Sequence, residues 1–393
     1  MSSVAADPAL DLLAAVRAVE PCIRAHADAI ERERRIVAPV VDALHERGLF
    51  RMLLPAAFGG HEVDPIAFAH TIEVVATIDA STAWCLCQAS GCSMIAAYLD
   101  PRGAGAIFGG DPRGVIAWGQ PPNGRAVTVD GGYRVTARWQ FASGSHHATW
   151  LGGVSPIFES NGQPNLLPDG THELRTILVP VADAELLDVW HVSGLRGTGS
   201  DTIVLDDRFV PRVYTARQHP DERRESGPLY RLFFNNQYAA GFSSVAQGIA
   251  RGMLDAFIDL ATTKSPRGVH STLRENAVVQ SQVGRAEAVL GSARAYLHAT
   301  LDGIWREVVR SGALTLEQRV QIRLASTFGI HQALEVADTL YHAAGSSAIL
   351  ASHPFERRFR DIHAVAQQVQ GRQAHFETVG QFLLGLDPDK GFV

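Results

Sequence analysis

The chain has 393 residues, of which 46% are hydrophobic and 19% are charged, and its formal net charge is -6. A chain of this length and composition buries a large core in two or three domains, which excludes extensive disorder. Acidic and basic residues are mixed along the sequence, so no basic tract attracts a phosphate backbone and we expect no nucleic-acid partner.

The N-terminal region predicts helices. Asp7 and Pro8 are typical of a helix start, and the apolar residues after them recur mostly at three- and four-residue spacing. A further helix is expected from Pro39, with Gly48 as its natural end. A basic start followed by a continuous apolar core is missing here, so we expect no secretion signal, and no apolar run is long enough for a membrane span.

Three of the four cysteines lie close together in the apolar segment STAWCLCQASGCSMIAAYL. Helices are expected from Ile66 to Ile78 and from Ser81 to Tyr98, and the second one contains Cys85, Cys87 and Cys92. Their spacing matches no common zinc pattern, so we expect no metal site. Buried free thiols are the favoured interpretation, which suits a reducing cytoplasm.

From about Val115 the sequence alternates between apolar and polar residues, as in RAVTVDGGYRVTARWQF and RTILVPVA. This period, with many valines, threonines and aromatics, predicts β-strands. Asp130-Gly131-Gly132 indicates a hairpin turn. The β region ends near Pro211, and a domain boundary is expected in the polar stretch from Ala216 to Pro228.

The remainder predicts a helical bundle. Four segments are each long enough to span about 40 Å at 1.5 Å per residue, and such lengths suit a bundle. They run from Asn236 to Thr263, Arg274 to Val309, Leu316 to Ala344 and Asp361 to Leu386. We therefore expect an α+β fold with an N-terminal helical domain (1–114), a middle β domain (115–215) and a C-terminal four-helix bundle (216–393).

Two motifs carry a family resemblance. WQFASGSHHATW, from Trp139 to Trp150, resembles the strand and turn that lie against a flavin ring in the acyl-CoA dehydrogenase superfamily. WHVSGLRGTGSDTIVLDDRFVP, from Trp190 to Pro211, resembles the signature of the branch of two-component, reduced-flavin-dependent monooxygenases that hydroxylate aromatic rings. FRMLLPAAFGGHEVDP is similar to a further stretch of the superfamily, whose domain order also matches over nearly the whole chain.

The resemblance implies a flavin site at the first motif. Ser143 and Gly144 would leave room for a planar ring edge, flanked by Trp139 and Phe141 as apolar walls. In the similar hydroxylases, the serine at the Ser143 position hydrogen-bonds the flavin N5 and slows loss of hydrogen peroxide from a flavin C4a-hydroperoxide. By spacing alone, the same serine is a strand-end residue that caps a turn.

Further cofactor contacts are implied in the second motif and in the bundle. Arg196, Thr198 and Ser200 would reach a flavin carbonyl or phosphate, although Arg196 would also fit a structural pair with a carboxylate. Arg267 stands where relatives use an arginine for the flavin phosphate, to which a guanidinium donates two parallel hydrogen bonds. Gly345, in YHAAGSSAI, resembles a turn that meets a flavin bound mainly by a neighbouring subunit. A solvated arginine and a plain helix C-cap are the alternatives.

The C-terminal run FERRFRDIHAVAQQVQG departs from phenol-type hydroxylases, which it resembles in its "RD" and "HA". By this register, their pocket histidines fall at Gln368 and near Cys92. Histidine titrates in the range that deprotonates a phenol, so we expect a ring that is already electron-rich, such as an indole. Gln368 would then hydrogen-bond the ring, and His363 is the alternative base. Trp118 would wall the pocket, or it is a core aromatic.

The resemblance thus implies the oxygenase component of a two-component monooxygenase, a homotetramer that takes FADH2 or FMNH2 from a separate flavin reductase and uses molecular oxygen on a small aromatic substrate. No nicotinamide-binding glycine fingerprint is evident, which fits a borrowed reduced flavin.

Three other functions stay open. An acyl-CoA dehydrogenase needs a catalytic glutamate, but AQQVQG holds no carboxylate and Glu377 has the wrong surroundings. A catalytically silent flavin-binding or assembly subunit and an N-oxygenase of an amino sugar are the other two alternatives.

Overall fold

The computed structural model describes residues 11–120 and 123–392. The helix start expected at Asp7 and Pro8 lies outside the described residues. The first described helix follows Asp11, whose carboxylate accepts a hydrogen bond from the Ala14 amide at 2.9 Å. Gly48 adopts the left-handed conformation just after the second helix, which confirms it as the end of that helix. The helices of this part are α1 (Leu12–Glu33), α2 (Ala38–Glu46), α3 (Pro65–Ile78), α4 (Ala80–Ser93) and α5 (Pro101–Ala104).

The middle of the chain forms a mixed sheet. Its strands are β1 (Ile116–Gly119), β2 (Gly124–Val129), β3 (Gly132–Ala142), β4 (Trp150–Phe158), β5 (Leu174–Pro180), β6 (Glu185–Leu187), β7 (Asp201–Pro211) and β8 (Thr215–Ala216). They are arranged in the order β6-β7-β3-β2-β4-β5-β8, with β1 paired to β4. The expected hairpin at Asp130 and Gly131 is confirmed, because Val129 pairs with Gly132 across the β2–β3 turn.

One indole fills the centre of this sheet. Trp139 on β3 has no exposed surface, and its Nε1–H donates to the Val154 carbonyl at 3.2 Å. Gly119 and Gly153 pair with each other on β1 and β4, and both lie against Trp139. A Cβ at Gly153 would stand 2.4 Å from the indole ring, so only glycine leaves room for it.

The C-terminal part is helical. Its helices are α6 (Phe234–Thr263), α7 (Ala277–Ser311), α8 (Leu316–Ala344), α9 (Phe355–Gln367) and α10 (Ala374–Leu383). Helix α6 lies at the centre of this part and packs against α3, α8 and α9. The prediction of one long helix from Asp361 to Leu386 is wrong, because the extended backbone of Gln368 ends α9 and a separate helix, α10, follows.

Two other expectations concern the cysteines and the possibility of a membrane span. Cys85, Cys87 and Cys92 are buried free thiols in α4, as expected. Of the helices that the structure describes, none is both long enough and apolar enough to cross a membrane.

Candidate active site

The two sequence motifs meet at one edge of the sheet. Because β3 and β7 are antiparallel neighbours, the serine turn (residues 143–148) after β3 lies beside the glycine turn (residues 195–200) before β7. The Gly144 amide donates to the Thr198 carbonyl at 2.8 Å, and the Ser145 hydroxyl donates to the Gly199 carbonyl at 3.0 Å. These bonds fasten the turns together.

A bulge in β3 turns one aromatic ring outward. The strand register shifts between Trp139 and Ala142, and Phe141 takes a φ of 60°, which is rare for a residue that is not glycine. The Phe141 side chain is 59% exposed and meets the Trp190 ring edge-on at 6.2 Å between centroids. Such a strained, exposed aromatic at a sheet edge is typical of a ligand contact.

Ser143 lies in a buried hydroxyl chain. Its Oγ is 2.7 Å from the Ser200 Oγ, which is 2.7 Å from the Thr198 Oγ1, and that hydroxyl donates to the Leu195 carbonyl at 2.9 Å. From the helical domain, the Trp84 Nε1–H donates to the Ser143 Oγ at 2.9 Å. The structure therefore brings together the three predicted hydroxyl residues and adds Trp84, which the sequence did not indicate.

Asp201 connects the two turns to the loop before them. It is buried, and its carboxylate accepts hydrogen bonds from the Val189 and Trp190 amides at 2.9 and 3.0 Å. Its other oxygen is 2.7 Å from the His146 Nε2. Asp201 therefore holds Trp190 beside Phe141.

A carboxylate from α9 holds the start of the glycine turn. The Asp361 Oδ1 accepts a hydrogen bond from the Leu195 amide at 2.6 Å, and Leu195 itself has a left-handed φ of 51°. Burial, together with the nearby charges of Asp79 and Glu31, raises the pKa of Asp361 to about 7. Asp361, the aspartate of the "RD" motif, thus positions the glycine turn through a hydrogen bond to its backbone.

An aromatic stack leads from Ser143 into the helical core. Trp84 stacks on Phe242 with centroids 4.0 Å apart, and Phe242 lies parallel to Tyr238 at 5.7 Å. The Tyr238 hydroxyl is 3.6 Å from the Cys92 Sγ and 3.5 Å from the Gln88 amide nitrogen. Burial raises the pKa of the Cys92 thiol to about 12 and holds the pKa of Tyr238 well above its usual value, so both are neutral at physiological pH.

The other predicted pocket residues each have contacts of their own. Trp118 is buried beside Phe234 and lies close to Cys92 and Tyr238. The Gln368 Oε1 accepts from the Gln370 amide at 2.7 Å, and no hydrogen bond between described residues joins it to Ser143. The His363 Nδ1 meets the Phe359 carbonyl at 2.8 Å.

His363 also pairs with a carboxylate. Its Nε2 is 3.4 Å from the Asp338 Oδ1, so both ring nitrogens are engaged at the contact of α8 with α9. These contacts hold His363 against α8 and α9 rather than at the serine turn.

Some of the predicted cofactor residues lie at the serine and glycine turns, and others lie elsewhere in the chain. Trp139 is a core residue that presents no surface, so within this chain only Phe141 of the two expected walls is exposed. Arg196 is half-exposed, 3.8 Å from Glu31. Arg267 is exposed after α6, and Gly345 ends α8 at the same end of the bundle. There Lys264 donates to the Ala344 carbonyl at 2.6 Å.

The chain is similar to known proteins along its whole length. Family models described as the N-terminal and C-terminal domains of acyl-CoA dehydrogenase match residues 11–101 and 240–372. The chain belongs to the acyl-CoA dehydrogenase family. It is 30% identical over 401 residues to the indole-3-acetate monooxygenase of Pseudomonas putida, a match that covers 100% of this chain and 97% of that protein.

Other relatives in the family are also monooxygenases. The chain is 28% identical to the flavin-dependent monooxygenase oxygenase subunit HsaA of Mycobacterium tuberculosis, over 93% of this chain and 92% of that one. A crystal structure of the M. tuberculosis HsaA monooxygenase superposes with a TM-score of 0.89 at 27% identity and covers 98% of this chain and 100% of that one. The expected fold and resemblance are confirmed. The chain is a flavin-dependent monooxygenase of this family, and reduced flavin and oxygen are its cofactors.

The site residues fit a flavin ring. The exposed Phe141 ring offers an apolar contact, and Ser143 offers a hydroxyl beside it at the same sheet edge. The Ser143 Oγ accepts one hydrogen bond from Trp84, so it keeps capacity for one more partner.

Proposed function

We propose that this protein is the oxygenase component of a two-component system and hydroxylates an electron-rich aromatic or nitrogen-heteroaromatic ring, with indole-like substrates favoured over phenols. A separate flavin reductase supplies FADH2 or FMNH2. Reduced flavin provides two electrons for the activation of O2, of which one oxygen atom enters the ring and the other leaves as water. The indole-3-acetate monooxygenase of Pseudomonas putida supports this substrate class by its name and by full-length similarity.

The observation that carries the substrate class is the neutral pair of Cys92 and Tyr238. The sequence resemblance puts a histidine of phenol-type hydroxylases near Cys92, where this chain has a thiol whose pKa is raised to about 12. Tyr238 is its neighbour, and burial keeps that phenol protonated as well. Since His363 is engaged by its own helices, we infer that the pocket has no base for a phenol and takes a ring that reacts without deprotonation.

Dehydrogenation is disfavoured by the position of Glu377. It is exposed on α10, away from the buried chain of hydroxyls. A base that removes a substrate α-proton has to lie within hydrogen-bond reach of it beside the flavin, which an exposed carboxylate on that helix does not.

The first test is a single turnover with chemically reduced flavin. The protein is loaded anaerobically with FADH2 or FMNH2, mixed with buffer that contains ¹⁸O2 and indole, and the product is analysed by mass spectrometry. We expect one ¹⁸O atom in the hydroxylated ring. If all oxygen returns as hydrogen peroxide with every electron-rich aromatic ring supplied, the proposed function is wrong.

Replacing Ser143 with alanine should lower the ratio of hydroxylated product to hydrogen peroxide by about fivefold, since one hydrogen bond to the cofactor contributes about 1 kcal/mol. The two products are quantified in the same single turnover. Ser143→Thr keeps a hydroxyl at this position and should retain most of the coupling. An unchanged product ratio in Ser143→Ala would remove the role assigned to this serine.

The pH dependence should differ between two substrates. With indole, we expect a rate of ring hydroxylation that is constant between about pH 8 and pH 9, because Asp361 is ionised throughout this range and neither Cys92 nor Tyr238 ionises in it. With phenol, the rate should rise about tenfold per pH unit in this range, since only the ionisation of phenol itself, at a pKa of about 10, makes it a nucleophile. A phenol rate that levels off above pH 7 would reveal a histidine base and contradict the proposal.

A further inference from the structure

We infer that Ser200, Thr198 and Trp84 set the direction of hydrogen bonding at Ser143, so that Ser143 only accepts a hydrogen bond from the cofactor and the site prefers reduced over oxidised flavin. The three are positioning residues, which act through Ser143. This inference rests on the proposed function, since it takes Ser143 as the contact of the flavin N5.

The direction follows from a count of protons. The hydroxyls of Ser143, Ser200 and Thr198 are all buried and carry three protons. Three short contacts need a proton: Ser143 to Ser200, Ser200 to Thr198, and Thr198 to the Leu195 carbonyl. The carbonyl can only accept.

Only one arrangement therefore satisfies every contact. Thr198 donates to Leu195, Ser200 donates to Thr198, and Ser143 donates to Ser200. Any other arrangement leaves two buried oxygens 2.7 to 2.9 Å apart without a proton between them, which is costly in a buried site.

Trp84 takes one of the two lone pairs of Ser143. An indole N–H only donates, and it reaches the Ser143 Oγ at 2.9 Å. The Trp84 ring is held in this position by its stack on Phe242. Ser143 is then left with one lone pair and no free proton, so it can only accept from a further partner.

This polarity distinguishes the two redox states of a flavin. Reduced flavin carries a hydrogen on N5 and can donate to Ser143. Oxidised flavin has a bare N5 with a lone pair, which the remaining lone pair of Ser143 repels. The hydroxyl chain thus favours capture of the reduced cofactor and release of the oxidised one, which suits a protein that shares its flavin with a reductase.

The test is the ratio of dissociation constants, Kd for oxidised flavin over Kd for reduced flavin, measured by anaerobic equilibrium titration with FMN and FAD. In Ser200→Ala, the Ser143 proton has no inward acceptor and is free to turn toward a bare N5. We expect the ratio to fall by roughly tenfold, mainly because oxidised flavin binds more tightly. For a two-electron couple, this equals a drop of about 30 mV in the potential of the bound flavin.

Two further variants distinguish an effect of the hydroxyl chain from a general structural defect. Thr198→Val keeps the shape of the side chain but lets the Ser200 proton turn toward Ser143, so oxidised flavin should again bind more tightly. Thr71→Val removes a buried hydroxyl on α3, one that donates to the Ala67 carbonyl of the same helix, and should leave the ratio unchanged. A merely structural defect would weaken the binding of both flavin forms.

The outcomes are distinct. If the unaltered protein binds neither form of either flavin, the proposed function fails. If it binds flavin and Ser200→Ala leaves the ratio as it was, the inference is overturned and the proposed function stands.

Discussion

Replacing Gly153 with alanine should lower the free energy of unfolding by about 2 to 3 kcal/mol. The new methyl group would stand 2.4 Å from the Cγ and Cδ2 atoms of the Trp139 indole. The ring cannot move aside, since it is fully buried, its Nε1–H is bonded to the Val154 carbonyl, and Gly119 closes on its backbone from the paired strand. The measurement is urea unfolding followed by tryptophan fluorescence and circular dichroism at one protein concentration.

Gly303→Ala is the matched control. Gly303 lies exposed on α7 with open space around its Cα, so the same substitution should stabilise the protein by about 0.5 to 1 kcal/mol through helix propensity. A double variant that combines Gly153→Ala with Trp139→Phe should recover part of the loss, because the smaller ring leaves space for the methyl group. Equal stability of Gly153→Ala and the unaltered protein would show that the indole is not confined in this way.

Acidification should destabilise the protein through His147, by about 2 kcal/mol between pH 8 and pH 5. His147 lies in the serine turn with both ring nitrogens buried, its ring centroid is 5.5 Å from that of Phe50, and neither nitrogen has a hydrogen-bond partner among the described residues. Burial, together with the nearby His45 and His146, lowers its pKa to about 3.

The folded and unfolded states bind a proton at His147 over different pH ranges. In the unfolded chain, histidine binds a proton below a pKa of about 6.5, whereas folded His147 stays neutral down to about pH 3. The unfolded state therefore binds more protons between these values. The contribution of His147 to stability is complete above pH 6.5 and is lost as the pH falls toward 3.

His147→Leu, which has a similar volume, should lose about 2 kcal/mol less of its free energy of unfolding between pH 8 and pH 5 than the unaltered protein. His270→Leu changes an exposed histidine in a loop and should keep the pH profile of the unaltered protein. Parallel pH profiles for all three proteins would show that His147 does not carry the effect. His45 acts in the same direction as His147, because burial lowers its pKa to about 4, and Asp361 acts in the opposite direction, because burial raises its pKa to about 7. The difference between the unaltered protein and His147→Leu therefore isolates His147.

Local signals predicted most of the elements. The apolar spacing of α3 and α4, the glycine after α2 and the Asp130-Gly131 turn depend on contacts within a few residues, so they are readable from the sequence. The prediction of a single helix for the fourth bundle segment was wrong because a tertiary contact accompanies the break at Gln368. Gln370 follows the break with its side chain against the buried Arg323 on α8, and helix periodicity carries no signal of that contact.

The candidate site was predicted in part, through motifs. Ser143, Thr198 and Ser200 lie in the two motifs that resemble a flavin site, and the structure shows that they share one chain of hydroxyls. Trp84 and Tyr238 are far from these motifs in sequence and lie in helices that read as ordinary core. No local pattern shows that an indole 59 residues away donates to a serine.

The sequence by itself determined the family, the order of helices and strands, and the residue types of the site, because these depend on local periodicity and short motifs. Only the tertiary structure decided which side chain faces where. An ideal strand puts Trp139 and Phe141 on one face, yet the bulge between them buries the first and exposes the second. Likewise, the hydroxyl chain has a direction only because the Leu195 carbonyl stands at its end, in a residue whose amide donates to Asp361. The polarity of such a chain is a property of all its members together.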